Sequence, residues 1–138
     1  RVIYRPTPAD LDDLPGVFDG LVRRIMVVGG GCGILLHEAA DVAPSSGSRR
    51  WLNTAWRQGR SLHVPIIACT QRPARVDRLA LSEAAHVFLF MLADLDDRER
   101  VARLMGRQTR SLPNLETPFS FYHRGPDGSV RRCSPLTL

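Results

Sequence analysis

The sequence contains no lysine: all 19 basic side chains among its 138 residues are arginine, set against 14 Asp and Glu for a formal net charge of +5. That absence removes Schiff-base chemistry and any deprotonated catalytic amine. It also removes the G-x-x-x-x-G-K-[ST] phosphate loop, whose lysine has no counterpart here. Nucleotide chemistry in this chain would need its phosphate-gripping group from another segment. Cysteine is scarce as well. Cys32, Cys69 and Cys133 are odd in number and far apart, which argues against a disulfide framework or a Cys-x-x-Cys metal site and favours a cytoplasmic setting. No apolar run approaches the roughly 20 residues that span a bilayer. No signal peptide is visible, and the first residue is Arg1 rather than Met, so the chain reads as a processed or cut piece.

What remains is the composition of a globular domain, 43% hydrophobic and 24% charged. One domain over 1–138 is expected, with a core over 1–110 and a loop and hairpin tail over 111–138. Arg1–Arg5 alternates and reads as a short strand. Thr7-Pro8 reads as a helix start. Pro15-Gly16 is expected to interrupt that helix, and Val17, Phe18, Leu21, Val22 and Ile25 then trace a second, longer one. Three nearly continuous apolar runs follow: Ile34–Leu36, Val64–Cys69 and Val87–Met91. Such runs read as strands covered on both faces. The spacers Arg49–Gln58 and Asp77–Ala85 are long enough for helices, so the pattern is that of a parallel α/β sheet. Asp94 is a natural cap for a helix over Leu95–Met105 that ends at Gly106. Phe119–His123 and Val130–Cys133, around Gly125-Pro126-Asp127-Gly128, read as a hairpin.

Two strand ends carry candidate chemistry. Ile34-Leu35-Leu36-His37-Glu38 places a carboxylate at the carboxyl edge of the sheet, where open α/β folds bind their ligands. Ile66–Ala68 leads into Cys69-Thr70-Gln71-Arg72-Pro73, which brings a hydroxyl, an amide and a guanidinium to the end of a neighbouring strand. A carboxylate and an amide facing one crevice suit a hydrolytic water, the first accepting its proton and the second orienting it. Taken singly, Glu38 is a solvated strand end and Thr-Gln-Arg-Pro an ordinary loop. Their order and spacing along one parallel pattern make them a candidate site.

In these segments the sequence resembles the HerA/FtsK-type, RecA-like motor ATPases. Their Walker B strand ends in Asp-Glu-Ala, here His37-Glu38-Ala39. Their Gly-Arg stretch is matched by Gly59-Arg60, and their Thr/Ser-Gln-Arg-Pro element by Thr70-Gln71-Arg72-Pro73. Leu81–His86, Val87–Met91 and Asp94–Arg98 continue the same order. The resemblance implies a RecA-like fold fragment from an ATP-driven DNA-translocating motor. Glu38 would be the general base, and Gln71 with Thr70 the γ-phosphate sensor. Arg60 would be the arginine finger, with Arg57 and Arg72 as alternatives. It further implies ATP and Mg²⁺ in the complete protein, a homo-oligomeric ring, and non-specific contact with double-stranded DNA. Two departures stand out. His37 replaces the Walker B aspartate and is a poor partner for Mg²⁺, which prefers hard oxygen ligands; Glu38 or Asp41 would have to serve instead. The Walker A segment is absent. A catalytically degenerate, structural relative of the family is therefore the alternative.

Other patterns fit less well. His37-Glu38-Ala39-Ala40-Asp41 is a variant of H-E-x-x-H, but the second histidine is missing and the preceding run is strand-like. The Gly29–Gly33 run precedes a strand instead of opening a helix, which excludes a dinucleotide fingerprint. Arg49, Arg50, Arg57, Arg60, Arg72, Arg75 and Arg78 could meet phosphates. Aromatics are sparse at 7%, and none interleaves with that basic run as a single-strand stacking platform requires.

Overall fold

A computed structural model describes residues 3–28, 31–44, 50–106, 109 and 119–135. The chain packs as two compact units, Arg1–Thr70 with Arg75–Ala80, and Gln71–Ala74 with Leu81–Leu138.

Early in the first unit Thr7 and Asp10 form a capping box. The Thr7 amide and hydroxyl both donate to the Asp10 carboxylate at 2.7 Å. A 3-10 turn over Pro8–Asp13 then runs directly into helix α1, Leu14–Val28. The break expected at Pro15-Gly16 does not occur. Pro15 is the second residue of α1, where a helix has no use for its missing amide hydrogen. The Asp13 carboxylate accepts from the Gly16 amide at 3.1 Å. The strand expected over Arg1–Arg5 is also absent at residues 3–5, which join no ladder. Pro6 removes a donor there, and Tyr4 packs edge-on against Phe18, ring centroids 5.6 Å apart. Arg1, Val2, Gly29, Gly30, the Ser45–Ser48 loop and most of the Arg107–Asn114 loop lie outside the described residues.

Strands β1 (Ile34–Leu36) and β2 (Ile66–Ala68) pair in parallel, Ile34 opposite Ile66 and Leu36 opposite Ala68. Helix α2 (Ala39–Val42) follows β1, and α3 (Arg50–Gln58) forms in the spacer between the strands. The core gathers Val22 and Met26 of α1, Leu36 of β1, Ala39 and Val42 of α2, Leu52 and Ala55 of α3, and Val64. Among the described residues, cover lies on one face of the strand pair; on the other, Leu35 and Ile67, opposite one another, are 67% and 63% exposed. The continuous apolar runs had suggested cover on both faces. Helix α1 holds α3 by a long-range cap, because the Asp19 carboxylate accepts from the Trp51 and Leu52 amides at 2.9 Å each. The chain returns to this unit at Val76 and Ala80, both core residues, with the Asp77 amide donating to the Ala43 carbonyl. Asp77 in turn caps helix α4, Arg78–Ser82, through the Leu79 amide.

In the second unit the third apolar run forms β3 (Val87–Leu89). It was expected to extend the parallel sheet, but it pairs antiparallel with β4 (Phe121–Arg124), Leu89 opposite Tyr122. Strand β5 (Val130–Cys133) completes a three-stranded antiparallel sheet. The hairpin supplies β3 with its ladder from Phe121–Arg124, although β2, ending at Ala68, lies nearer in sequence. Helix α5 spans Leu95–Met105, with Asp94 accepting from the Asp96 and Asp97 amides and Gly106 at φ 100° closing it. Val101 and Met105 of α5 pack on Leu89, with Val87, Tyr122 and Val130 around them. The fold is α/β, with a parallel strand pair, flanking helices and a C-terminal antiparallel hairpin.

Candidate functional site

The parallel register brings two candidates together. Leu36 lies opposite Ala68, so Glu38 and Thr70 each stand two residues beyond the same rung. The ladder continues past both strands: the Cys69 amide donates to the Leu36 carbonyl, and the Ala39 amide to the Cys69 carbonyl, at 2.8 Å each. Fixed in this way, the Thr70 hydroxyl donates to Glu38 Oε1 at 2.6 Å. Glu38 also caps α2, its Oε1 accepting from the Ala40 amide at 3.3 Å. A distance of 2.6 Å is within the ordinary range for a hydroxyl donating to an oxygen. A half-buried carboxylate is thus held, as an acceptor, at the carboxyl end of a parallel pair.

The other candidates occupy different places. His37 is exposed at the end of β1, and Asp41 is exposed on α2. Arg60 lies on the turn that enters β2, at the amino end of that strand, whereas Glu38 and Thr70 sit at the carboxyl ends. Arg57 is exposed in the last turn of α3. Gln71 directly follows Thr70 and is exposed. Arg72 is committed to α5: its Nη2 meets Asp94 at 3.3 Å and its Nε meets Asp97 at 3.0 Å. Among the described residues, no group of three His, Cys, Asp or Glu side chains is placed to hold a metal ion.

The sequence did not disclose the structural roles of three residues. Asp97, only 1% exposed, accepts from both Arg72 and the Ala74 amide and so fixes the loop after Thr-Gln-Arg-Pro. In sequence it looks like one more acid in the first turn of a helix. Asp19 gave no local signal, since its partners are more than thirty residues away. Gly59 precedes Arg60, and a Cβ there would lie 2.6 Å from the Ala55 carbonyl oxygen and 2.7 Å from that of Val64. Two backbone atoms therefore demand glycine in the turn that carries Arg60.

No protein-family model matches the chain. Against individual proteins, it is 34% identical over 143 aligned positions to the DNA packaging ATPase P9 of Enterobacteria phage PRD1, a match covering 98% of this chain. The likeness is to a viral packaging ATPase. The chain spans 59% of that relative's length. The genome packaging NTPase B204 of Sulfolobus turreted icosahedral virus 2, solved with ATP-gammaS, superposes at a TM-score of 0.77 and 13% identity over 97% of this chain and 74% of B204. Its complex with AMPPCP gives a TM-score of 0.76 at 12% identity, over 96% of this chain and 74% of B204. At such identities the likeness is one of fold. The site at Glu38 and Thr70 thus lies in a chain that shares its architecture with a viral packaging NTPase. Among the described residues, no helix is long and apolar enough to cross a membrane.

Proposed function

We propose that this chain is part of an ATP-driven motor that packages DNA, related to the HerA/FtsK-type translocases, and that it carries the water-activating side of the nucleotide site. The observation that carries the reading is the Thr70–Glu38 hydrogen bond at the carboxyl ends of two parallel strands. Glu38 accepts the proton of the attacking water, while Gln71, next along from Thr70, senses the γ-phosphate. Arg60, at the amino end of β2, serves a neighbouring subunit as an arginine finger, which requires a homo-oligomeric ring. Arg50, Arg57, Arg60, Arg75 and Arg78 are all exposed in the first unit, which supports non-specific contact with the phosphates of double-stranded DNA.

The residues present do not by themselves fit Mg²⁺ or the nucleotide phosphates. No three-residue cluster of metal-binding side chains exists among the described residues, His37 offers the wrong donor, and no lysine is present. ATP and Mg²⁺ are therefore assigned to the complete protein, with Glu38 or Asp41 the only nearby oxygen donors proposed. The test uses the polypeptide encoded by the full reading frame. That frame should supply G-x-x-x-x-G-K-[ST], and Glu38→Gln should lower DNA-stimulated ATP hydrolysis by about a hundredfold or more while nucleotide binding is retained. Hydrolysis unaffected by Glu38→Gln would sink the reading. His37 favours a second one, a non-catalytic structural relative. A full-length polypeptide that does not hydrolyse ATP and gains activity with His37→Asp would identify that residue as the lesion.

A further inference from the structure

The β3–β4–β5 sheet has two different faces. Val87, Leu89, Tyr122 and Val130 share the side that packs with Val101 and Met105 of α5. By alternation, Phe88 and Phe90 lie on the other side. Phe88 is paired with His123, and His123 with Arg131, while Phe121 is paired with Cys133. On that side Phe88 is 58% exposed and Phe90 53%.

The rings there are ordered by one another. Phe88 and His123 lie nearly parallel, centroids 4.7 Å apart and planes at 17°. His86 Nδ1 and His123 Nε2 are 3.0 Å apart, with the two rings within 9° of parallel. Phe121, 8% exposed, lies 5.9 Å from Phe88 and 5.4 Å from Phe90. Arg131 stands at the end of the Phe88–His123 row. Of the strand arginines, Arg124 and Arg132 fall by alternation on the α5 side and Arg131 on this one, where the Asp127 carboxylate of the β4–β5 turn interacts with it electrostatically.

Flat, nearly parallel, solvent-facing rings beside a guanidinium match the chemistry of a nucleotide strand. Bases stack on aromatic faces whatever their sequence, and arginine meets the phosphates. Duplex DNA keeps its base faces stacked internally and cannot use such rings. We propose that this face docks single-stranded nucleic acid, with bases stacking on Phe88 and His123 and the backbone passing Arg131. The surface belongs wholly to the second unit, and the proposal does not rest on the ATPase reading.

Fluorescence anisotropy of this chain tests it with three probes: a short oligothymidylate, an abasic oligonucleotide of equal length, and a duplex. The oligothymidylate should bind about tenfold more tightly than the abasic strand, the factor one well-stacked base supplies. Phe88→Leu keeps apolar bulk against Phe121 but removes the π face, and should erase that preference. Arg131→Gln should weaken binding to both strands alike. Phe90→Leu provides an independent variant should circular dichroism show Phe88→Leu unfolded. Equal affinity for base-bearing and abasic strands overturns the proposal, as does a preference that survives both leucine variants. Sedimentation velocity on the same proteins covers the other occupant. If Phe88→Leu dissociates a self-associated wild type and leaves oligonucleotide binding unchanged, the face is an interface between copies and the proposal fails.

Discussion

The Thr70 hydroxyl donates to the Glu38 carboxylate across 2.6 Å, from just beyond the end of one parallel strand to just beyond the end of its neighbour. Removing that donor should be felt in the fold before any catalysis is assayed. Thr70→Val should lower the stability of this chain by about 1 kcal/mol, the scale of a charge-assisted hydrogen bond reduced by partial exposure. Thr70→Ser should restore most of it. Urea denaturation of both variants gives the comparison, and equal midpoints for Thr70→Val and wild type would contradict it.

Asp19 joins α1 to α3 through the amides of Trp51 and Leu52. Asp19→Ala leaves both donors without that acceptor at the start of a nine-residue helix, so a loss of about 1–2 kcal/mol is expected. Asp19→Asn keeps an acceptor oxygen and should lose less. Chemical denaturation followed by far-ultraviolet circular dichroism ranks the three proteins.

At Gly59 the obstacle is backbone on both sides, the carbonyl oxygens of Ala55 and Val64. Gly59→Ala should therefore destabilise by about 1–3 kcal/mol, the usual cost of forcing a methyl into filled space. Gly20, whose Cβ would meet nothing within 4 Å, is the control position: Gly20→Ala in mid-helix should be neutral or stabilising. Thermal melts that fail to separate the two would refute the steric account.

Asp97 is buried and answers both Arg72 and the Ala74 amide, whereas Asp94 shares the same arginine from an exposed position. Asp97→Ala should cost about 2 kcal/mol because it leaves the half-buried Ala74 amide without its acceptor and removes the carboxylate that meets Arg72. Asp94→Ala should cost about 1 kcal/mol, mainly as a lost helix cap. The reverse order in denaturation midpoints would show that the cap outweighs the buried carboxylate.

The β4–β5 turn contains an acid-sensitive contact. Hydrogen bonds from the Ser129 hydroxyl and amide hold the Asp127 carboxyl below its ordinary value. A lowered carboxylate value stabilises the turn at neutral pH, and that contribution is lost as pH falls through the value in the folded protein. The Ser129 amide resonance should titrate in that acidic range, and Asp127→Asn should abolish the titration.

Much of the architecture was legible because the punctuation was local. Asp94 and Gly106 bound α5, and the Gly125–Gly128 turn announces the hairpin. The helix in the first spacer needed only its length and composition. What misled was context. Pro15 is an obstacle inside a helix but harmless in its first turn. Val87–Leu89 is apolar enough for a parallel sheet, yet it pairs antiparallel with the C-terminal hairpin, a partner more distant in sequence than β2. At the candidate site, Glu38 and Thr70 could be paired from their equal offsets beyond two strands. Asp19, Asp97 and Gly59 could not be found that way, since the importance of the two acids lies in partners distant in sequence and that of Gly59 in backbone that leaves no room for a side chain.

The shared rung of β1 and β2 also limits how this protein can change length. Glu38 and Thr70 meet because each lies two residues past Leu36 and Ala68. A single inserted residue on either side would turn one of them to the opposite face, and only matched changes on both strands would keep them together. The stretch between the strands carries no such demand. Insertions and deletions among functional relatives should therefore collect there and spare the few residues on either side of that rung.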